Sequence, residues 1–529
     1  KGRRETYKGV EGKFQSPTGR FDELNRRLDG TYTLLLPDRS FEAYDALGRL
    51  AALQDRNGNR MEFYYDLAGR LSTILDTLGR LTTLEYYPVL FNGTEYDVKS
   101  GRLKALIDPA GRRVEYKYDE SGDLVKASLE DRTLGYAYSS HSDPKLAHNL
   151  TSLTDPRGLQ ALALNYDSQD KLTSLGRGGA ALALSCGATA TVTDPNGHPH
   201  AYRHDDQGHP LSVTDGSSTT TFAYNADGLV SGVTLPEGNS LTYAYQGGEA
   251  RGRGNLLFIS ENAGPRGAEE PSRVSHFTYD PFFNLLRQAS TPEGLTLNHS
   301  LDGRGNVTST STNLPGISLS YSYNDYGQMT SMTDPLQGAT GYTYHPESSP
   351  GGGGAPASAG RRLDGATGGY LRSVDTGSLA VSYSLYDQAG NLERLSRSDG
   401  LSLSSSYDSF NQPTGHSLSC AGLSPLSGTL SYGRDSNGNI LSWNETWGAL
   451  SRQVTSTYDP RNNPLSSTET GLGTTLYGYD GEDQLTSVTD PLGRRLSLTY
   501  NANDLLSSAS LSKESVTTTT QFAYDGNGN

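Results

Sequence analysis

Cysteine, methionine, tryptophan and long apolar runs are all scarce in this chain of 529 residues. The two cysteines, Cys186 and Cys420, are too few and too far apart for a disulfide framework or a zinc-binding spacing. No apolar run approaches the length that crosses a membrane, and no apolar signal core follows the first residues. The net charge of −15, without a basic stripe, disfavours nucleic acid and anionic membrane surfaces as partners.

Glycine and tyrosine are abundant, with 62 and 33 residues, and they recur at a fixed spacing. Tyr65-Asp66 follows 21 residues after Tyr44-Asp45, and Tyr86 follows 21 residues after Tyr65. Each Asp opens an Asp-x-x-Gly stretch, in which Asp can bond the backbone two residues on and Gly can adopt the positive φ of a G1 bulge. The segments between these turns alternate in polarity, which is typical of half-buried strands. The sequence therefore predicts stacked β-hairpins of about 21 residues.

The same repeat spacing continues to the last residues of the chain. Asp-x-x-Gly or Tyr-Asp recurs with drift throughout, and the chain stops at the opening of another repeat, which suggests a segment of a longer protein. The residues expected to form the structural motif are Tyr44, Asp45, Gly48, Arg49, Tyr65, Asp66, Gly69, Arg70, Asp76, Gly79, Arg80, Tyr118, Asp119, Tyr386, Asp387, Tyr479 and Asp480.

The pattern Tyr-Asp-x-x-Gly-Arg-Leu followed by Asp-x-x-Gly-Arg resembles the YD repeat of the RHS family. That family includes bacterial polymorphic toxins, a shell component of insecticidal toxin complexes, and the teneurins. The resemblance implies an all-β fold in which antiparallel hairpins wind spirally into a hollow shell or tube. A many-stranded twisted sheet must curl, and pairing each turn of a spiral with the next leaves few free edges. The winding and the cavity are supplied by the resemblance, not by the spacing.

We expect one continuous repeat body over residues 1–529. Three stretches interrupt the rhythm: residues 247–272, 348–360 and 410–428, which are rich in Gly, Pro or both. Because repeats resume after each stretch, we expect these segments to protrude as insertions.

No catalytic constellation emerges from the residues. Asp-Pro-x-Gly at Asp108, Asp155, Asp194 and Asp490 is similar to the paired Asp-Pro motifs of an aspartyl autoprotease in RHS proteins, but turn chemistry accounts for all four. Paired carboxylates for glycoside hydrolysis are likewise explained by turn positions. We therefore expect no enzyme activity.

Two other groups of residues were considered as sites. His198, His200, His204 and His209 form one local cluster, for which a solvated hairpin is favoured over a metal site. The Gly-Arg pairs match no phosphate-binding loop, and each Arg is expected to lie over a neighbouring Tyr ring or to pair with the Asp of the next hairpin. We expect no catalytic, cofactor-binding or metal-binding residue.

Two functions follow from the resemblance. The first is a non-catalytic scaffold, a β-shell that encapsulates a C-terminal toxin or effector lying outside this segment. The alternative is a cell-surface or extracellular filament or adhesin, built from a YD-repeat tube, for which glycan binding is a further expectation. The expected partners are a covalently linked effector or neighbouring copies, with carbohydrate or a cell-surface receptor as further candidates. Both functions place the protein outside the cell or on its surface.

Overall fold

The computed structural model describes residues 6–10, 13–89, 97, 99–187, 189–248, 252–265, 271–345, 369–421 and 427–529. These residues form β-strands joined by short turns, and no α-helix occurs among them. Contacts divide the chain into two compact units. Unit 1 comprises Lys1–Thr83 and Phe222–Asp399, and unit 2 comprises Leu84–Thr221 and Gly400–Asn529.

The strands follow one another along the whole described chain. The first are β1 (Lys8–Val10), β2 (Lys13–Gln15), β3 (Glu23–Arg26), β4 (Tyr32–Leu35), β5 (Phe41–Tyr44), β6 (Leu50–Gln54), β7 (Arg60–Tyr65), β8 (Leu71–Leu75), β9 (Leu81–Tyr86), β10 (Leu103–Ile107), β11 (Arg113–Tyr118), β12 (Leu124–Leu129), β13 (Arg132–Tyr138), β14 (Leu150–Thr154), β15 (Gln160–Tyr166), β16 (Leu172–Arg177), β17 (Ala180–Ser185), β18 (Thr189–Thr193), β19 (Pro199–His204), β20 (Pro210–Asp215), β21 (Ser218–Tyr224), β22 (Val230–Thr234) and β23 (Ser240–Tyr245). They continue as β24 (Leu256–Asn262), β25 (Arg273–Tyr279), β26 (Leu286–Ser290), β27 (Thr296–Leu301), β28 (Val307–Thr312), β29 (Ser318–Tyr323), β30 (Met329–Asp334), β31 (Gly338–Tyr344), β32 (Leu371–Asp375), β33 (Ala380–Tyr386), β34 (Leu392–Arg397), β35 (Leu401–Tyr407), β36 (Pro413–Cys420), β37 (Ser427–Arg434), β38 (Ile440–Trp447), β39 (Leu450–Tyr458), β40 (Pro464–Glu469), β41 (Gly473–Tyr479), β42 (Leu485–Thr489), β43 (Arg495–Tyr500), β44 (Leu506–Lys513) and β45 (Val516–Gln521).

Strands pair antiparallel with their neighbours in sequence, which confirms the predicted hairpin repeat. The register shifts at the tyrosine that precedes the turn Asp. Between β5 and β6, Ala43 pairs with Ala52 but Tyr44 pairs with Leu50, so one residue of β6 is left unpaired. The same bulge recurs at Tyr65, where Tyr64 pairs with Thr73 and Tyr65 with Leu71. A bulge adds local twist and re-aims the side chain at its position.

The sheet of each unit is thin. Most strand residues are half-buried, and the buried hydrophobic residues of the described chain are Leu34, Ala52, Ala105, Phe283 and Val454. Within each unit the described strands contact their sequence neighbours and pack on no second sheet. The low apolar content of the sequence is therefore sufficient, because a single layer buries each side chain only in part.

The three predicted insertions have different outcomes. Residues 348–360 lie outside the described residues. In the first stretch, β24 pairs with β23 and β25, so Leu256–Asn262 belongs to the sheet. For the described part of 410–428 the prediction of a protruding insertion is wrong. β36 spans Pro413–Cys420 and pairs with β35 and β37, and Pro413 is tolerated because it is the first residue of its strand. A single repeat body over residues 1–529 stays a prediction.

Candidate functional site in the hairpin turns

Each turn Asp binds the backbone of its own turn. Oδ1 of Asp45 accepts hydrogen bonds from the N–H groups of Leu47 and Arg49, both at 2.9 Å. The carbonyl of Asp45 accepts from the N–H of Gly48 at 3.0 Å, and Gly48 has a φ of +79°. This is the predicted type I turn closed by a G1 bulge. The same pair of carboxylate contacts occurs at Asp66, Asp76, Asp119, Asp387 and Asp480.

The arginine after the turn glycine pairs with the Asp of its own turn. Nε of Arg49 lies 2.7 Å from Oδ2 of Asp45, and Arg70 and Arg80 bind Asp66 and Asp76 in the same way. The prediction that these arginines reach the Asp of the next hairpin is wrong, because the bulge at Gly returns the following side chain to the Asp four residues before it. The predicted contact with tyrosine is confirmed at Arg49, whose guanidinium carbon lies 4.4 Å from the ring centroid of Tyr65.

The repeat tyrosine ties one hairpin to the previous one. The hydroxyl of Tyr65 donates to the carbonyl of Leu50, 15 residues earlier, at 2.8 Å. Leu50 is the residue that pairs with Tyr44 at the bulge. Tyr65 therefore bonds the strand partner of the equivalent tyrosine in the previous repeat. We call this contact the tyrosine clamp. It recurs at Tyr118, Tyr166, Tyr245, Tyr323, Tyr344, Tyr386, Tyr458, Tyr500 and Tyr524.

Two motif tyrosines differ from this pattern. The clamp itself was not predicted from the sequence. Tyr44 donates to Glu42, and Tyr479 is a bulge position whose pKa is raised by burial. The missed signal is that a Leu, Val, Ile or Met stands 15 to 18 residues before each clamp tyrosine.

Removing a clamp hydroxyl is expected to cost stability where the tyrosine is half-buried. Tyr65→Phe keeps the ring beside Arg49 but leaves the Leu50 carbonyl without its donor, so we expect a loss of about 1 kcal/mol in the free energy of unfolding. Tyr524→Phe removes the same bond from a residue that is 36% exposed, and water replaces the donor there. Urea unfolding of both variants measures the difference. Equal losses would contradict a structural role for the buried clamp.

The lowered pKa values of the turn carboxylates predict that acid destabilises the folded protein. Backbone and side-chain hydrogen bonds from Arg70 hold the pKa of Asp66 below the ordinary value of 3.8. At Asp155, burial opposes the shift, but bonds from Leu159, Asn437 and Arg157 still lower the pKa. A group whose pKa is lower in the folded state than in the unfolded state adds stability at pH values above its unfolded pKa. This contribution is lost as the pH falls through the folded-state pKa. Stability should therefore decline as pH falls below about 4.

The melting temperature between about pH 5 and pH 2 tests this expectation. Asp66→Asn is the matched variant, because Asn324 occupies the same turn position and accepts the same two backbone bonds. This variant should lose less stability on acidification than the wild-type protein. An unchanged acid profile would show that Asp66 contributes nothing to it.

Within each unit, turns far apart in sequence meet. We call these contacts turn junctions. In unit 1 the guanidinium of Arg39 lies 4.0 Å from the ring centroid of Phe282, and Nδ2 of Asn306 donates to Asn57 at 3.1 Å. The partners are 243 and 249 residues apart. No local pattern signals such pairs, which is why the sequence did not predict them.

Unit 2 has turn junctions of the same kind. Nη2 of Arg157 donates to the carbonyl of Pro460 at 3.0 Å, and Nη1 donates to that of Asp459 at 3.3 Å. Asn437 donates to the carboxylate of Asp155 at 2.6 Å. These side chains are mostly buried: 15% of Arg157 and 6% of Asp155 is exposed. Hydrogen bonds from these largely buried side chains join the two stretches of unit 2.

The histidine cluster is split between two turns and a strand. His198 and His209 follow turn glycines, and their Nδ1 atoms lie 3.1 Å from Asp194 and 2.9 Å from Asp205. His200 bridges Asp215 and Asp194, and the bond to Asp215 raises its pKa despite burial. His204 is exposed. The four Asp-Pro-x-Gly motifs all form hairpin turns, at Asp108, Asp155, Asp194 and Asp490.

One carboxylate-rich group includes a member of this cluster. A donor atom from each of Asp194, His198 and Asp504 lies within 4.8 Å of the others. Asp194 is buried, His198 is half-buried and Asp504 is exposed, so the group opens to solvent on one side. Burial and the adjacent Asp504 raise the pKa of Glu482 to about 7. Sequence reasoning missed this group because Asp504 lies some 300 residues from Asp194 along the chain.

Comparison with known proteins agrees with this geometry. The RHS Repeat family matches residues 44–81, 96–134 and 479–513. The toxin protein Tse5 of Pseudomonas aeruginosa is 34% identical over 121 residues, which cover 21% of this chain and 9% of that protein. The crystal structure of TcdB2-TccC3 matches 95% of this chain with a TM-score of 0.50 and 12% identity, and this likeness shows the fold.

The chain spans only part of these relatives, 30% of the length of the matched TcdB2-TccC3 chain. In the described part of the chain, no helix has the length and apolar character needed to cross a membrane.

Proposed function

We propose that this chain, parts of which match the RHS Repeat family, is a non-catalytic wall segment of a shell. The shell encloses a C-terminal toxin or effector domain lying outside these residues. The covalently linked effector is then its main partner, and the protein acts outside the producing cell or at its surface. Binding of carbohydrate or a cell-surface receptor stays a prediction from sequence.

The single observation that carries this proposal is the thin sheet. In each unit the described strands form one layer with half-buried residues throughout, and buried hydrophobic side chains are few. A compact enzyme of this size buries a large core behind its site. A single layer is suited instead to separating two spaces, because each strand has one face toward either side.

The turn junctions provide contacts between separate stretches of the sheet, which a wall also needs. In an open sheet, only the edge strands present unpaired backbone N–H and C=O groups. A ribbon of hairpins also has a row of turns along each of its two sides. Side chains such as Arg157 and Asn306 join these turn ends within the units over more than 240 residues of sequence. Contacts of this kind close the space between separate stretches of ribbon without requiring a second layer.

Limited proteolysis of the native protein tests enclosure. We expect the domain that follows the repeats to resist digestion until the repeat region is cut. Arg157→Ala, which removes a buried turn junction, should expose that domain earlier. Arg494→Ala is the control, since Arg494 is 53% exposed and pairs with Asp490 of its own turn.

Two results would contradict encapsulation. One is digestion of the C-terminal domain before the repeats in the wild-type protein. The other is a native protein in which only further repeats or a surface anchor follow. The second result would favour the extracellular filament or adhesin that the sequence also allows.

A further inference from the structure

The turns around Asp194, Asp480 and Asp504 gather more negative charge than their contacts neutralise. They join β18 to β19, β41 to β42, and β43 to β44 in unit 2. Asn196 of the first turn donates to Asp480 of the second at 3.2 Å, and Gln484 donates to Asp504 of the third at 2.8 Å. Among the described residues, no Lys or Arg forms an ion pair with Asp194, Asp504 or Glu482. Three carboxylates so placed repel one another, and either a shared proton or a bound cation relieves that repulsion.

Two buried oxygens beside Asp504 lack a donor. Oε2 of Glu482 and Oε1 of Gln484 are shielded from solvent and have no hydrogen-bond partner among the described residues. Both residues contact Asp504, Glu482 through its carboxyl group and Gln484 through its amide. A buried acceptor without a partner is costly, and a cation satisfies such an oxygen as well as a proton donor does.

We propose that Asp194, His198 and Asp504 bind one divalent cation of the Zn²⁺ or Mn²⁺ class. Ligands bound at about 2.0–2.2 Å lie at most roughly 4.4 Å from one another. The three donor atoms lie within 4.8 Å of one another, so binding requires at most a small closing movement. The carboxyl group of Glu482 contacts Asp504 and lies next to this group of three ligands. Imidazole together with carboxylates suits Zn²⁺ or Mn²⁺, whereas Ca²⁺ prefers oxygen ligands alone.

The neighbouring residues fit a metal site as well. His200 lies 3.4 Å from Asp194 through Nε2 and is held by Asp215 at 2.7 Å through Nδ1, which orients the buried carboxylate. The exposed Asp504 leaves a path for the cation to enter. Bound metal would fasten the Asp194 turn to the Asp504 turn, where other turn junctions use arginine.

Titration of the metal-free chain with Zn²⁺ by calorimetry tests the site, with the melting temperature as a second readout. Asp504→Gly removes a ligand at a position with a φ of +61°, which glycine adopts freely. His198→Arg installs the residue that pairs with the turn Asp in repeats such as Arg49-Asp45. Asp170→Gly is the matched control, because Asp170 has a φ of +65° at the same turn position and lies outside the group.

We expect one saturable Zn²⁺ site in the wild-type chain and in Asp170→Gly, with a higher melting temperature when the metal is bound. Asp504→Gly and His198→Arg should each bind Zn²⁺ at least about tenfold more weakly and lose the metal-dependent rise in melting temperature. Circular dichroism without metal checks that each variant is folded. If the wild-type chain binds Zn²⁺ no more tightly than both ligand variants, or if Asp170→Gly weakens binding equally, the site does not exist.

Discussion

Replacing Arg157 with alanine is expected to lower the free energy of unfolding by about 3 kcal/mol. The guanidinium is 15% exposed and donates to the carbonyls of Asp459 and Pro460 and to the carboxylate of Asp155. Without it, the exposed carbonyl of Pro460 loses this donor and the carbonyl of Asp459 keeps the N–H of Asn462. Asp155 then keeps only its backbone and Asn437 partners. Equilibrium unfolding in urea measures the loss.

Arg494→Ala is the matched control for this prediction. Arg494 also pairs with the Asp of its turn, but it is 53% exposed, so water replaces the lost contact. The expected loss is under about 1 kcal/mol. Hydrogen exchange adds a local readout: the amides of the Asp459 turn should exchange faster in Arg157→Ala only. Similar losses in both variants would mean that the turn junction stabilises no more than a surface ion pair.

Replacing Gly305 with alanine is expected to destabilise the protein far more than the same change at Gly48. Both glycines have positive φ, +83° and +79°, so alanine costs about 1–2 kcal/mol of backbone strain at either position. A Cβ at Gly48 meets no atom within 4 Å, but one at Gly305 would lie 2.9 Å from the ring of Phe283. Phe283 is only 8% exposed and has little room to move.

The overlap with Phe283 should add about 1–3 kcal/mol to the cost at Gly305. Melting curves and urea unfolding of the two variants, measured side by side, separate strain from crowding. If the two substitutions cost the same, then Phe283 yields easily and the packing around Gly305 is loose.

Local features of this fold were predictable because their causes are local. Asp45 and Gly48 form their turn through bonds within five residues, and the strands between turns follow from alternating polarity. The contact of Arg49 with a tyrosine ring was predicted, but its pairing with the Asp of its own turn was not, since spacing alone does not show how a bulge redirects a side chain. The prediction of an insertion is wrong at Pro413–Cys420, because Pro413 and Pro425 interrupt the repeat pattern in the sequence without excluding a strand.

Contacts between residues far apart in the chain could not be predicted from the sequence, for a different reason. Arg157 and Pro460 are 303 residues apart, and nothing in either turn specifies the other. The same holds for Asp194 and Asp504, whose proximity depends on how unit 2 brings its two stretches together. The tyrosine clamp is the intermediate case: the 15 residues between Leu50 and Tyr65 can be counted in the sequence, but only the geometry shows that the hydroxyl of Tyr65 bonds the Leu50 carbonyl.

A cryo-EM map of the native protein tests the central claim most directly. The account predicts a closed, capped shell whose single-layer wall contains these hairpins, with additional density inside for the enclosed domain. An open-ended tube in which repeats or further copies continue beyond residue 529, with no enclosed density, would contradict encapsulation and leave a structural filament.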